Sequence, residues 1–262
     1  MRRLLTSILC LGLVTAACSS SADASSSPSA TRATLTVFAA SSLTKAFGAI
    51  GSEFQSSNPG VTVIFNFGSS SELAGQIESE GSADVFASAS GAWMDDVAGK
   101  TGITDRVDFA TNHLVIIAPV ANPAGIASLD DLAKPGVALV LAAKGVPVGD
   151  YARQALDNAD IAKAAEANVV SNEPDDASLV AKITGGEADA AIVYTSDMSG
   201  TTAAQVKAIP IPSSDNVVAT YPIAVVNASS NAALADRFIA YVTGASGQAT
   251  LSSFGFLPRP GG

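Results

Sequence analysis

The chain has 262 residues, of which 48% are hydrophobic and 15% charged, so it can bury the core of one large or two smaller compact domains. Its formal net charge of −10 argues against a nucleic-acid-binding protein, which needs basic patches. The same charge means that any bound anion must be held by local dipoles rather than by the overall field.

The N-terminus has the pattern of a secretory signal peptide. A basic start is followed by a short apolar run from Leu4 to Val14, then by small residues and Cys18. We predict a signal peptide over residues 1–17 and a lipid-acylated Cys18, as in a bacterial lipobox. An ordinary signal peptide without lipidation is the alternative. Residues 18–33 are rich in Ser and Ala and predict a flexible tether, and no cysteine follows Cys18.

Apolar runs alternate with helical patterns along the rest of the chain, which is typical of an α/β fold. The first helix, for example, should place Leu43, Phe47, Ile50 and Phe54 on one face. Further helices are predicted over residues 72–78 and 234–242, around Trp93, Ala152 and Leu179. The predicted strands cover residues 35–40, 61–67, 83–87, 114–118, 137–143, 169–170, 190–194 and 221–226.

Three segments place small or hydroxyl residues between a predicted strand and a predicted helix. They are Ala39–Ser42, Gly68–Ser71 and Val146–Gly149. The first N–H groups of a helix have no partner within it and carry a partial positive charge. A single serine at such a position is often only a helix cap. Three such segments at the carboxyl ends of strands predict an anion site that needs no Lys or Arg.

Six segments of the domain carry a combined pattern. They are VFAASSLT (37–44), FGSSSEL (67–73), ADVFASAS (83–90), VPVGDYA (146–152), AAIVYTSD (190–197) and YPIAVV (221–226). Together, in family order and over the whole domain, they resemble the periplasmic molybdate-binding protein family. The resemblance implies a two-lobed, Venus-flytrap α/β fold of the periplasmic-binding-protein type, each lobe a mixed sheet flanked by helices.

We predict that the first lobe comprises residues 34–108 and 221–262, and the second lobe residues 109–220. The two crossovers should lie near residues 107–112 and 218–222. In such a fold the ligand is held in the cleft between the lobes.

The resemblance also implies the ligand-binding residues. Ser42 and Ser70 should give hydroxyl and backbone N–H donors from the first lobe, and Val148 a backbone N–H and Tyr194 a phenol from the second. Asp176 stands where the family usually has a valine that donates its backbone N–H. We expect its carboxylate to point outward and cap the helix. A carboxylate facing the cleft would repel a dianion but could accept a proton from hydrogen phosphate.

The implied function is capture of molybdate or tungstate on the extracytoplasmic face of the cell membrane and delivery to the permease of an ABC importer. Sulfate or phosphate is the alternative ligand. We expect a lipid-anchored monomer with no cofactor, no metal cation and no nucleic-acid partner. An enzyme is not expected, because the only histidine, His113, precedes an apolar strand and no catalytic motif accompanies it.

Overall fold

The computed structural model describes residues 32–259 and shows two mixed five-stranded sheets flanked by helices. This confirms the predicted α/β fold class. The predicted signal peptide, the Cys18 lipidation site and nearly all of the tether lie outside the described residues.

The first sheet contains β1 (Ala33–Ala40), β2 (Val61–Gly68), β3 (Val85–Ala87), β4 (Ile103–Asn112) and β10 (Ala219–Val226). The strand order is β2-β1-β3-β10-β4, in which β1, β2 and β3 are parallel and β10 is antiparallel to both of its neighbours. Strand β1 is almost entirely apolar and largely buried, as expected for an inner strand that is covered on both faces.

The second sheet contains β5 (Leu114–Pro119), β6 (Leu139–Ala142), β7 (Val169–Glu173), β8 (Ala190–Tyr194) and β9 (Val206–Pro210). Its order is β7-β6-β8-β5-β9, and β5 is antiparallel to β8 and β9. The two sheets therefore share a plan, in which three parallel strands are followed by one antiparallel strand and then by an edge strand antiparallel to that one.

Helices pack on both sheets. Around the first sheet they are α1 (Thr44–Ser57), α2 (Ser70–Glu80), α3 (Gly91–Lys100), α8 (Ala232–Thr243) and α9 (Ala245–Ser253), and around the second α4 (Pro147–Asn158), α5 (Ala162–Glu166), α6 (Asp176–Thr184) and α7 (Thr202–Gln205). Short 3-10 helices cover Ser41–Leu43, Asp130–Ala133 and Thr195–Met198.

An aromatic cluster fixes α1 against the first sheet. The ring of Phe47 lies 6.1 Å from that of Phe65, 5.7 Å from Phe109 and 6.0 Å from Phe238. Aromatic pairs at these separations add to the free energy of simple apolar burial. The cluster therefore holds the N-terminal end of α1, and the 3-10 helix before it, in a defined position above β1.

The chain crosses between the sheets twice. Only His113 separates β4 from β5, and the second crossing lies between Pro210 and Ala219. The buried Asn112 ties the first crossing to the second sheet, because its Nδ2 donates to Ser196 Oγ (2.8 Å) and its Oδ1 accepts from Thr195 Oγ1 (2.7 Å). We keep the predicted lobes as a proposal, the first lobe built on the first sheet and the second lobe on the second.

The sequence patterns did not predict β4, β9, α5, α7 or α9. Both missed strands lie at an edge of their sheet. Edge strands are partly solvated and can carry charged side chains, such as Asp105 and Arg106 in β4, which hide an apolar pattern.

Candidate oxyanion site

One small cavity between the two sheets has all five predicted site residues in its lining. It holds about 190 Å³ of space, its open mouth included, which is less than a drug-sized ligand requires. No Lys or Arg side chain lines it. The lining residues are Ala40, Ser41, Ser42, Gly68, Ser69, Ser70, Ala89, Val146, Pro147, Val148, Asp176 and Tyr194.

Three helices begin at this cavity, with Ser70 as the first residue of α2, Pro147 of α4 and Asp176 of α6. The 3-10 helix Ser41–Leu43 begins there as well. Each α-helix directs the positive end of its dipole and its unpaired N–H groups toward its first turn. These helix starts therefore contribute partial positive charge to the cavity although the protein is acidic overall.

In the serine run after β2, both Ser69 and Ser70 line the cavity, but only Ser69 caps the helix. Ser69 is the N-cap of α2, and its Oγ accepts from Glu72 N–H at 3.3 Å. Ser70 is 1% exposed, and its Oγ accepts from Ala89 N–H at 2.9 Å. That bond uses the oxygen of Ser70 and leaves its hydroxyl hydrogen to be donated into the cavity.

Ser42 is arranged in a similar way by Tyr221. The two hydroxyl oxygens lie 3.0 Å apart, and Tyr221 Oη also accepts from Asn112 Nδ2 at 3.5 Å. Because the phenol already accepts from the amide, its own hydrogen is free to go to Ser42 Oγ. Ser42 then has its hydrogen available for the cavity. Burial raises the pKa of Tyr221, which keeps this phenol protonated at neutral pH.

Tyr194 ends β8 with its side chain buried at the cavity. It is 1% exposed, and its Oη has no hydrogen-bond partner among the described residues. Burial raises its pKa well above the usual value, so the phenol is a neutral donor. A buried hydroxyl without a partner costs free energy, which a ligand oxygen would recover.

The start of α4 contributes backbone donors. Val146 is its N-cap and makes no side-chain capping bond, and Pro147 is the first helical residue. The N–H groups of Val148 and Gly149 lie in the first turn, where a helix offers no acceptor. A Cβ on Gly149 would lie 2.5 Å from the carbonyl oxygens of Ala142 and Ala143, so only glycine allows this helix start to approach the end of β6.

The expectation that Asp176 points outward as a cap is wrong. The N-cap of α6 is Asp175, whose Oδ1 accepts from Ser178 N–H at 2.8 Å. Asp176 is 5% exposed, and its Oδ1 accepts from Ser41 Oγ–H across the cavity wall. An extended N-cap turns its side chain over the first turn, whereas the next residue is already helical and its side chain lines the cavity.

Sequence reasoning missed two residues that accompany Asp176. Ser41 is its hydrogen-bond donor, and Asp197, in the 3-10 helix after β8, lines a neighbouring cavity together with it. Burial raises the pKa of both carboxyl groups, and the like charge of Asp176 raises that of Asp197 further. Two features of the sequence could have indicated a polar contact at Asp176: the repeated Ser41-Ser42 and the aspartate where the family usually has valine.

Within residues 32–259, no group of three or more His, Cys, Asp and Glu side chains is placed to hold a metal ion. Over the same range, no helix is long and apolar enough to cross a membrane.

Comparisons with known proteins agree with this fold. The family model described as bacterial extracellular solute-binding protein matches residues 35–257. The molybdate-binding protein ModA of Mycobacterium tuberculosis is 40% identical over 255 residues, which cover 97% of this chain and 95% of that protein.

Two solved structures are similar in fold. The substrate-binding domain of a molybdenum ABC transporter protein from Clostridium difficile has a TM-score of 0.66 and 27% identity, covering 86% of this chain and 98% of that one. The periplasmic molybdate-binding protein of Azotobacter vinelandii has a TM-score of 0.75 at 19% identity, covering 86% and 100%. The chain therefore belongs to the bacterial extracellular solute-binding protein family, together with these molybdate-binding relatives.

Proposed function

We propose that this protein binds molybdate or tungstate in the cavity between its two lobes and delivers it to the permease of an ABC importer. The observation that carries the proposal is the buried Tyr194 hydroxyl, which has no partner among the described residues and lines a cavity with two serines whose hydroxyl hydrogens are free. The names of the relatives supply the ligand class.

In this proposal the protein binds its ligand reversibly and catalyses no reaction. A tetrahedral dianion offers four oxygens, and the cavity offers neutral donors from both lobes: Ser42, Ser70, Tyr194 and the N–H of Val148. Neutral donors and helix dipoles hold an anion without the desolvation cost of burying a full positive charge. Closure of the lobes completes this donor set, and the closed form is the one that a permease would recognise.

Hydrogen phosphate is a second candidate, favoured by one observation. Asp176 faces the cavity, and a carboxylate there can accept a proton from a protonated oxyanion, whereas molybdate near neutral pH carries none. Sulfate, like molybdate, has no proton to give and would be distinguished only by size.

Calorimetric titration of the purified protein with molybdate, tungstate, sulfate and phosphate tests the proposal. We expect tight binding of the first two and weak or no binding of the others. Tight phosphate binding with no molybdate signal would replace the proposed ligand by the second candidate.

The lipid anchor is a separate part of the proposal. Cys18→Ser should release the protein from the membrane fraction, because the acylated side chain is lost, and should leave oxyanion binding unchanged. Membrane retention of this variant after a carbonate wash would contradict lipidation at Cys18.

A further inference from the structure

Two carboxyl groups from the second lobe meet beside the cavity. Asp176 is the first residue of α6, and Asp197 lies in the 3-10 helix that follows β8. Asp197 Oδ2 accepts from Tyr194 N–H at 2.9 Å, Asp176 Oδ1 accepts from Ser41 Oγ–H, and both carboxyl groups line a neighbouring cavity. Two carboxylates that line one cavity repel each other, and a proton on one of them relieves that repulsion.

Little positive charge faces this pair. From β8 and β10 it meets the phenols of Tyr194 and Tyr221, and from its own helix the carboxylate of Asp175. Lys45 on α1 is the cation that acts on Asp197. The Lys45 ammonium donates to Ser199 O (2.7 Å) and Thr202 Oγ1 (3.1 Å), so it is held by second-lobe oxygens and only partly offsets the carboxyl charge.

The pair belongs to the site as well as to the lobe interface. Asp176 lines the same cavity as Tyr194 and the two serines. Its hydrogen bond to Ser41 joins the second lobe to the first, whereas Asp197 belongs to the second lobe itself. Opening of the cleft would therefore break the bond to Ser41, leave the two carboxyl groups side by side and expose the pair to water.

We propose that capture of the oxyanion is coupled to the uptake of a proton by the Asp176–Asp197 pair. This inference rests on the proposed function. In an open cleft water stabilises a second negative charge on the pair, but closure removes that water and brings a dianion against Asp176. Taking up one proton from solvent then relieves the repulsion, and no bond other than that to the proton changes.

The sign of the pH dependence follows from this coupling. Ligand binding raises the affinity of the pair for its proton, so by linkage protonation raises the affinity for the ligand. Molybdate affinity should fall as pH rises between about 6.5 and 8, by up to about tenfold per pH unit where one whole proton is taken up. A site of neutral donors alone would show almost no dependence in this range.

Calorimetric titration of the protein with molybdate in two buffers of different ionisation enthalpy, a piperazine sulfonate and imidazole, measures the proton number directly. We expect uptake of a substantial fraction of one proton per molybdate. In Asp176→Asn and in Asp197→Asn it should fall to near zero, because the amide keeps the hydrogen bonds without titrating. Asp175→Asn, which changes a neighbouring carboxylate outside the cavity, is the control and should keep the uptake.

The outcomes separate the two proposals. Identical molybdate heats in both buffers for the wild-type protein overturn the proton coupling and leave the binding function intact. Uptake that persists in both pair variants also overturns it, since another group must then titrate. Absence of any molybdate heat overturns the proposed function and the coupling together.

Discussion

The starts of α2 and α6 have the same local design with different chemistry. In each, the N-cap side chain, Ser69 or Asp175, closes the first turn, and the next residue, Ser70 or Asp176, is buried at the cavity. In both helices the first helical residue lines the cavity without capping its own helix. In α2 that position offers a neutral donor, the Ser70 hydroxyl, and in α6 it offers an ionisable acceptor, the Asp176 carboxyl group. The residue at this position of α6 should therefore decide how strongly binding depends on the charge of the ligand.

Removing a donor from the first lobe should have the largest effect on binding. Ser70→Ala and Ser42→Ala each delete a hydroxyl bond to a charged acceptor, worth roughly 1.5–3 kcal/mol, so Kd should rise about 10- to 150-fold. Titration calorimetry measures this. Ser71→Ala is the matched control, because Ser71 follows in the same helix turn but does not line the cavity. Wild-type molybdate binding by both Ser42 and Ser70 variants would rule out this site.

The start of α4 at the cavity can be disrupted by a substitution that crowds its backbone. Gly149→Ala places a methyl group against two carbonyl oxygens of the β6 end and should cost about 1–3 kcal/mol of unfolding free energy. It should also weaken binding by moving the Val148 N–H. Gly48→Ala in α1 is the control, since nothing lies within 4 Å of its added Cβ, and it should be neutral or stabilising in urea unfolding. Equal stabilities of the two variants would refute the close approach.

The α6 start can be converted to resemble that of α2. Asp176→Ser removes the buried carboxyl but keeps an oxygen that can accept from Ser41. At about pH 8 we expect molybdate to bind more tightly by at least about 1 kcal/mol, or about fivefold, because a like charge beside the dianion is gone. Asp175→Ser, which keeps a capping side chain, should leave affinity unchanged. Weaker binding by Asp176→Ser would show that the carboxyl group assists the ligand.

Loss of either cap should have the smallest effect and should separate stability from binding. Ser69→Ala and Asp175→Ala each remove one capping bond, which should lower the unfolding free energy by about 0.5–1 kcal/mol in urea denaturation. Molybdate Kd should stay within about twofold of wild type, because Asp175 does not line the cavity and the Ser69 Oγ, which does, already accepts from Glu72 N–H. A large loss of affinity in either variant would give the cap a direct ligand contact.

The sequence could predict the inner strands and the convergence of the site, but not the orientation of α6. Strands β1, β8 and β10 are nearly continuous apolar runs, which mark inner positions of a sheet. Asp175 and Asp176 are equally good caps, however, so the sequence alone does not say which one closes the turn. Only the packing of α6 against β8 decides that Asp176 turns inward.

The lack of a hydrogen-bond partner for the Tyr194 phenol among the described residues could not be predicted from the sequence either. The sequence shows a tyrosine at a strand end, and its lack of a partner depends on which side chains the fold brings near it. Ser42 was predicted as a donor from the sequence. It can donate because Tyr221, which already accepts from Asn112, lies next to it. That contact depends on how the chain crosses between the sheets, which the sequence does not show.

The position of Asn112 bears on how far the Ser42 donor would move when the lobes open. It lies one residue before the crossing to the second sheet, and a single phenol, Tyr221, links it to Ser42. The donor therefore sits close to the pivot about which two lobes would turn, and displacement in a rotation grows with distance from the axis. A small angle of opening then moves this donor little while it widens the mouth. We expect the first-lobe donors to keep nearly the same arrangement in the open protein. Ligand release should then be limited by opening of the cleft mouth rather than by movement of Ser42.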